Sequence, residues 1–320
     1  MKCMQKTILQ GNWCSRLASL AALIVCCISL PAHAIVGGST DPNVADSPWA
    51  GVGAVSVNGG TFSGALVGNR YVLTAAHVVG GVSASKVSFV LNAGSVSQTY
   101  AAEAITVFPG YTGTQAGADG VWHDDLALIR LATPVGPGVP VYGLYGGPLA
   151  NTIVTLVGYG GGGNGGSGPI GGASASVKRT GQNKIDNLLR DDDGGSAQEV
   201  FMFDFDGPDA TTNVFGPAIP ANLTLGNTIE AQYAGGDSGS PIFVNDNGIL
   251  KIAGIAAFNG STSLSSGSSV RFGAIGGGTV VAPYIPWIEA TMAPVPEPHA
   301  WMMLLAGIGM LGTKYRISQR

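Results

Sequence analysis

Short β-prone runs separated by glycine are the feature that most narrows what this chain can fold into. They recur as GVGAVSV (51–57), YVLTAA (71–76), VSFVL (87–91), LALIRL (126–131), TIVTLVGYG (152–160), EVFMFDF (199–205), SPIFV (240–244), LKIAGIAAF (250–258) and SSVRFGAI (268–275). Short strands at this spacing predict an all-β barrel or sandwich. Glycine makes up 51 of the 320 residues. It has no fixed period, which excludes collagen and points to turns and loops. NDNG (245–248) suits a hairpin turn, because Asn and Gly accept positive φ. PYIPWIEATM (283–292) predicts a short closing helix, with proline near its start and apolar residues on alternate turns. LATPVGPGVPVYGLYGGP (131–148) reads as a crossover between two β units. GYGGGGNGGSGPIGG (158–172) reads as a mobile surface loop. FDFD (203–206) reads as a strand with one polar face.

The first 34 residues read as an export signal. Lys2, Lys6 and Arg16 precede a 14-residue apolar run, Leu17 to Leu30, and then Pro31 and Ala32-His33-Ala34. A basic start, a short apolar stretch and a small-x-small site define a secretory signal peptide. All four cysteines, Cys3, Cys14, Cys26 and Cys27, fall in that segment. Cleavage after Ala34 therefore leaves a body without disulfides. From Ile35 to Ala293, nine Lys and Arg stand against eighteen Asp and Glu, a formal charge of −9. That balance disfavours a nucleic-acid partner.

Only two histidines lie in the body, His77 and His123. His77 follows an apolar run in LTAAH. Asp125 opens the buried run DLALIRL, with Asp124 as a competitor by adjacency. Ser238 sits between glycines in GGDSGSP. An activated serine needs a base within hydrogen-bond reach, and that base needs an orienting carboxylate. Glycines beside the serine let backbone N–H groups turn towards an oxyanion. His123 reads as a surface residue. Asp191, Asp192 and Asp193 read as a solvated loop, since no complete calcium-loop spacing surrounds them. No cofactor and no metal site can be argued from the sequence.

These pieces carry a family resemblance. IVGG (35–38), LTAAH (73–77), DLALIRL (125–131), GYG (158–160), GDSGSP (236–241), IAGIAAF (252–258) and PYIPWI (283–288) stand in order over about 255 residues. Together they resemble the trypsin/chymotrypsin-like serine peptidases. The resemblance implies two six-stranded antiparallel β-barrels, about 35–130 and 148–282, and a closing helix at 283–291. It implies a peptidase domain over 35–291 with its active site in the cleft between the barrels. Ser238 would be the nucleophile, His77 the base and then acid, and Asp125 its orienting partner. The N–H groups of Gly236 and Ser238 would form the oxyanion hole. A free N-terminus at Ile35 would pair with Asp237, so export itself would switch the enzyme on. The pocket would be built from Gln232, Tyr233, Phe258, Asn259 and Gly276. Gln232, where trypsins carry an aspartate, leaves the floor uncharged. Gly276, Gly277 and Gly278 would leave the pocket open. The chain departs from the family in lacking its usual cystines: Val78 and Ala234 stand where cysteine is common. Ala257 replaces a serine that supports the catalytic aspartate.

Residues 292–320 form a linker and tail. Pro296-Glu297-Pro298 precedes an apolar run, Ala300 to Thr313, then Lys314, Arg316 and Arg320. This resembles a PEP-CTERM sorting tail. The resemblance implies a separate apolar helix that contacts the membrane before processing, a Gram-negative bacterium, and a tail-cutting enzyme of exosortase type. Signal peptidase would act at the other end. The product would be periplasmic, on the cell surface or in the extracellular matrix, acting on protein or peptide substrates. Two other readings compete. One is a catalytically silent surface or matrix binding protein on the same fold. The other is an esterase-type acyl hydrolase. The latter wants G-x-S-x-G between strand and helix, whereas GDSGS ends in serine and precedes the β run SPIFV.

Overall fold

The computed structural model describes residues 35–93, 96–113, 120–208, 210–216, 225 and 229–294. The expected export segment and the apolar tail lie outside the described residues. Among the described residues no helix is long and apolar enough to cross a membrane.

The first half contains β1 (Ser39–Thr40), β2 (Val52–Val57), β3 (Gly60–Gly68), β4 (Tyr71–Thr74), the four-residue helix α1 (Ala76–Val79), β5 (Val87–Ala93), β6 (Val96–Val107) and β7 (Ala127–Leu131). Strands β2 to β7 close into an antiparallel barrel in the order β2-β3-β4-β7-β6-β5. Its core holds Leu66, Leu73, Phe89, Leu126 and Leu128, all fully or almost fully buried. Burying each such side chain contributes about 1.5–3 kcal/mol. Gly53 makes room for the Phe89 ring, which would lie 2.5 Å from a Cβ placed there.

The crossover expected at 131–148 is irregular apart from the short β8 (Gly143–Leu144). Tyr142 pins it: its hydroxyl donates to the Pro48 carbonyl at 2.8 Å and accepts from the Gly51 N–H at 3.1 Å. Then follow β9 (Ile153–Gly158), β10 (Gly162–Asn164), β11 (Gly168–Gly171), β12 (Arg179–Lys184), β13 (Asn187–Arg190), β14 (Gln198–Asp204), β15 (Pro241–Asp246), β16 (Ile249–Gly260), β17 (Ile275–Val280) and the closing helix α2 (Ile285–Met292). The β15–β16 hairpin turns at Asn247 and Gly248, both at positive φ.

Among the described residues, strands of the second half, with β1 added at one edge, form a nine-stranded sheet. Its path runs β1-β12-β9-β15-β16-β17-β14-β13, with β8 alongside β16. Its six strands β9, β12, β14, β15, β16 and β17 share the cyclic order of the first barrel. Among the described residues only the closing pair, β12 with β14, lacks a ladder. Isolated bonds span that seam instead. The Asn183 amide donates to the Asp204 carbonyl at 2.7 Å and the Ala231 carbonyl at 2.9 Å. The Asp186 N–H donates to the Met202 carbonyl at 2.9 Å.

Three local expectations are corrected. The stretch 158–172 is not a free loop: Tyr159 and the glycines up to 163 are buried, and β10 and β11 form a hairpin. Where glycine stands, its backbone approaches other chain segments closely. SSVRFGAI is not a strand; the strand starts only at its last residue, Ile275, and continues through three glycines. In FDFD no face is open to water, because Asp204 and Asp206 are buried beside Phe203 and Phe205. The N–H groups of Val214 and Phe215 cover the Asp204 carboxylate.

The seam gives a direct test. Asn183→Ala removes one donor group from two buried carbonyls. It is expected to cost about 3 kcal/mol, read as a lower urea midpoint for unfolding.

Candidate active site

Strand pairing places the first two residues. In the β4–β7 ladder Thr74 stands opposite Ala127. His77, three residues beyond Thr74, and Asp125, two before Ala127, therefore meet at the same barrel end. Helix α1 starts after the extended Ala75, so the His77 N–H points outward from a helix start. It donates to Asp125 Oδ1 at 2.8 Å, and His77 Nδ1 lies 2.6 Å from Asp125 Oδ2. Among the described residues, the Asp125 carboxylate has no other hydrogen-bond donor. It is fully buried. Asp124 turns the other way at φ +58 and accepts from the Tyr284 hydroxyl at 2.7 Å.

Ser238 is placed by a turn leading into β15. The Gly239 N–H donates to the Ala256 carbonyl at 2.9 Å, and the Ala256 N–H to the Ser240 carbonyl at 2.8 Å. Gly236 and Gly239 hold φ of +97° and +82°. A side chain at Gly239 would meet Thr74 Oγ1 at 2.1 Å. Ser63 of β3 ties this turn to the first barrel. Its N–H donates to the Ser238 carbonyl at 3.0 Å, and its hydroxyl to the Gly236 carbonyl at 3.1 Å. Its hydroxyl oxygen also accepts the Tyr159 N–H at 2.9 Å. Among the described residues, neither the Gly236 nor the Ser238 N–H donates to a backbone carbonyl.

Ser238 and His77 line one cleft of about 310 Å³, with Trp122, Tyr233, Phe258 and Asn259 among its walls. The Trp122 ring stacks on His77, centroids 6.0 Å apart at 17°. Gln232 and Gly276, expected in the pocket, lie behind it. The Gln232 amide oxygen accepts the Tyr233 N–H at 2.7 Å. The three glycines do not open the pocket. A Cβ at Gly276 would meet Gln232 Oε1 and the Phe203 ring, and one at Gly277 the Phe258 ring. Aromatic side chains already fill that space.

Asp237 is fully buried beneath the turn. Its Oδ1 accepts the Gly160 N–H at 2.8 Å and its Oδ2 the Ala234 N–H at 2.9 Å. Glycine is required at 160, where a Cβ would sit 2.3 Å from Asp237 Cγ. Arg179, which donates to the Gly160 carbonyl at 2.9 Å, adds a favourable charge. Burial still outweighs these contacts and pushes the Asp237 carboxyl up to about 7. Ile35 and Asp237 are not joined in the full chain, where a peptide bond to Ala34 occupies the Ile35 nitrogen. Ile35 is nevertheless buried, at φ +45°. Val36 pairs in both directions with Gln232 at 2.9 Å.

His123, expected at the surface, is buried at 6% exposure. Ser63, Trp122 and Arg179 had no signal in the sequence. Each acts through a partner more than 15 positions away, and only the fold reveals the pairing.

The sequence model of the Trypsin family matches residues 35–199. That is about half the chain, and the chain belongs to the trypsin family. The match stops short of the Ser238 turn. A second model, the PEP-CTERM protein-sorting motif, matches residues 294–320. The chain is thus a trypsin-like serine peptidase family member with a C-terminal sorting tail. No curated protein matches it.

The buried Asp237 carries a pH prediction. The unfolded carboxyl titrates near 3.8 and the folded one near 7, so between those values the folded chain binds more protons. Asp237's contribution to stability is complete below about pH 4 and is lost as pH rises through about 7. Asp237→Asn in the full chain removes this loss. Its stability relative to the parent should improve by on the order of 4 kcal/mol from pH 4 to pH 8, measured by urea unfolding at both pH values.

Proposed function

We propose that this chain is an exported serine endopeptidase using Ser238, His77 and Asp125. The observation that carries the reading is the 2.6 Å contact of His77 Nδ1 with the buried Asp125, on one wall of the cleft that Ser238 also lines. Asp125 holds His77 with Nδ1 as the N–H donor, leaving Nε2 as the base. His77 takes the Ser238 hydroxyl proton as Ser238 Oγ attacks the substrate carbonyl. The oxyanion faces the N–H groups of Gly236 and Ser238. His77 then delivers the proton to the leaving amine, and water completes hydrolysis of the acyl-enzyme by the same exchange.

In this reading the six strands of the second half form the family's second barrel, with the seam at β12 and β14 bridged by Asn183. Residues 1–34 form a signal peptide, 35–291 the peptidase domain, and 292–320 the sorting tail. Cleavage after Ala34 exposes the Ile35 ammonium. Ile35 is β-branched and held at φ +45°, a conformation costing about 1–3 kcal/mol that release of Ala34 lets relax. The freed ammonium pairs with Asp237 and supplies the counter-charge its burial lacks. An exosortase-type enzyme processes the tail, which contacts the membrane beforehand, at the surface of a Gram-negative cell. The cleft accepts an uncharged side chain. Its bordering carboxylate, Asp237, already accepts two N–H groups, and Tyr233 and Phe258 offer no counter-charge to a cation.

Hydrolysis of a fluorogenic peptide series by the exported body tests this. Asp125→Asn should lower kcat about ten-thousandfold, and Ser238→Ala should abolish turnover. Undiminished activity in either would overturn the triad. A form with one extra residue before Ile35 should be inactive. The mature form should lose activity in alkaline solution as the Ile35 ammonium, ordinarily near about 8, gives up its proton. Full activity of the extended form would overturn activation by export.

A further inference from the structure

We propose that His123, Asp192 and Glu199 form a binding site for a divalent cation of the zinc class, beside the catalytic loop. Glu199 lies in β14, Asp192 on the turn between β13 and β14, and His123 two positions before Asp125. His123 Nδ1 is 3.3 Å from Glu199 Oε2 and 3.6 Å from Asp192 Oδ1. The three donor atoms lie within 4.8 Å of one another.

Hydrogen bonding accounts for only one of these contacts: the one to Glu199 is a long bond at 3.3 Å, and the one to Asp192 at 3.6 Å lies beyond hydrogen-bond range. A ring nitrogen offers one direction, so a single N–H cannot serve two carboxylates well. Both contacts exceed the 2.7–2.9 Å of a charge-assisted bond. His77 and Asp125, by contrast, meet at 2.6 Å. A cation about 2.0–2.1 Å from each tetrahedral ligand holds those ligands about 3.3–3.4 Å apart. The His123–Glu199 distance has that value already. Asp192, whose side chain is 18% exposed, stands on a turn, and its 3.6 Å distance from His123 Nδ1 is within a few tenths of an ångström of that value.

The electrostatics point the same way. His123 and Glu199 are buried, and the fields of Asp124 and Asp191 reach Glu199. Asp191, Asp192 and Asp193 in turn act on Asp124. One imidazole cannot offset this many carboxylates, whereas a dication can. One ring nitrogen with two carboxylate oxygens suits zinc and its neighbours. Calcium wants six to eight oxygens. The cation would tie the turn after β13 and strand β14 to the segment that sets Trp122 against His77. Binding does not depend on the peptidase reading, so the two can fail separately.

The test is isothermal titration of zinc into the chelator-stripped full chain, with thermal unfolding alongside. Expected are one zinc per chain, a raised Tm, and about a hundredfold or greater loss of affinity in Asp192→Asn. Asp192 is partly exposed on a turn, so that variant keeps the fold. Asp193→Asn, the neighbouring acid outside the cluster, should bind as the parent does. Any of three results would overturn the site: no stoichiometric zinc, calcium binding as tightly as zinc, or equal effects of the two variants. The last would mean diffuse attraction to an acidic loop.

Discussion

The buried Asp237 carboxylate is the constraint around which the second half of the molecule is arranged. An anion without water must be met by donors, and here the backbone supplies them from Gly160 and Ala234. That choice explains Gly158 and Gly160, where any side chain would collide with the carboxylate. It explains why Arg179 is buried with its guanidinium on the Gly160 carbonyl. It also bears on Ser238, the next residue along. The turn carrying Ser238 is held from below by Asp237, from the side by Ala256 in β16, and from across the cleft by Ser63. Ser238 is therefore positioned by both halves of the molecule, although it belongs to one.

The first barrel solves a simpler problem. His77 and Asp125 flank the same end of neighbouring antiparallel strands, and register brings them together. Among the described residues the Asp125 carboxylate accepts only from His77. Ala257, where the family resemblance implies a serine, is consistent with that sparse support. Asp124 and Tyr284 then anchor the loop from outside. Trp122 caps it over the imidazole. This short segment, Trp122 to Asp125, contributes a cleft wall, a buried imidazole, a helix anchor and the orienting carboxylate in four consecutive residues.

Much of this was legible in the sequence because it is local. The runs around 52–57, 127–131, 153–158 and 241–260 are strands for ordinary reasons of β-branched and aromatic content. Asn247-Gly248 turns because both residues accept positive φ. His77, Asp125 and Ser238 stood out because each sits beside an apolar run or between glycines. What escaped was non-local. Strand β17 reads IGGGTV, and glycine has low β propensity. Its glycines are there because Phe203, Phe258 and the Ile255 carbonyl occupy the space a Cβ would take. The same aromatic rings close the pocket that three glycines promised to open. Phe205 and the 213–215 segment bury what looked like a wet face of FDFD. His123 looked solvated because its partners, Asp192 and Glu199, lie about 70 residues away.

In the proposed function these contacts deliver a chemically competent Ser238 once Ile35 is free. The most direct measurement lets a bacterial host export the chain, treats it with a fluorophosphonate probe, and maps the adduct and the N-terminus in one mass spectrum. The account predicts the label on Ser238 in molecules that begin at Ile35. Molecules that begin at Ile35 and stay unlabelled would contradict it, and would leave a peptidase scaffold with a silent site.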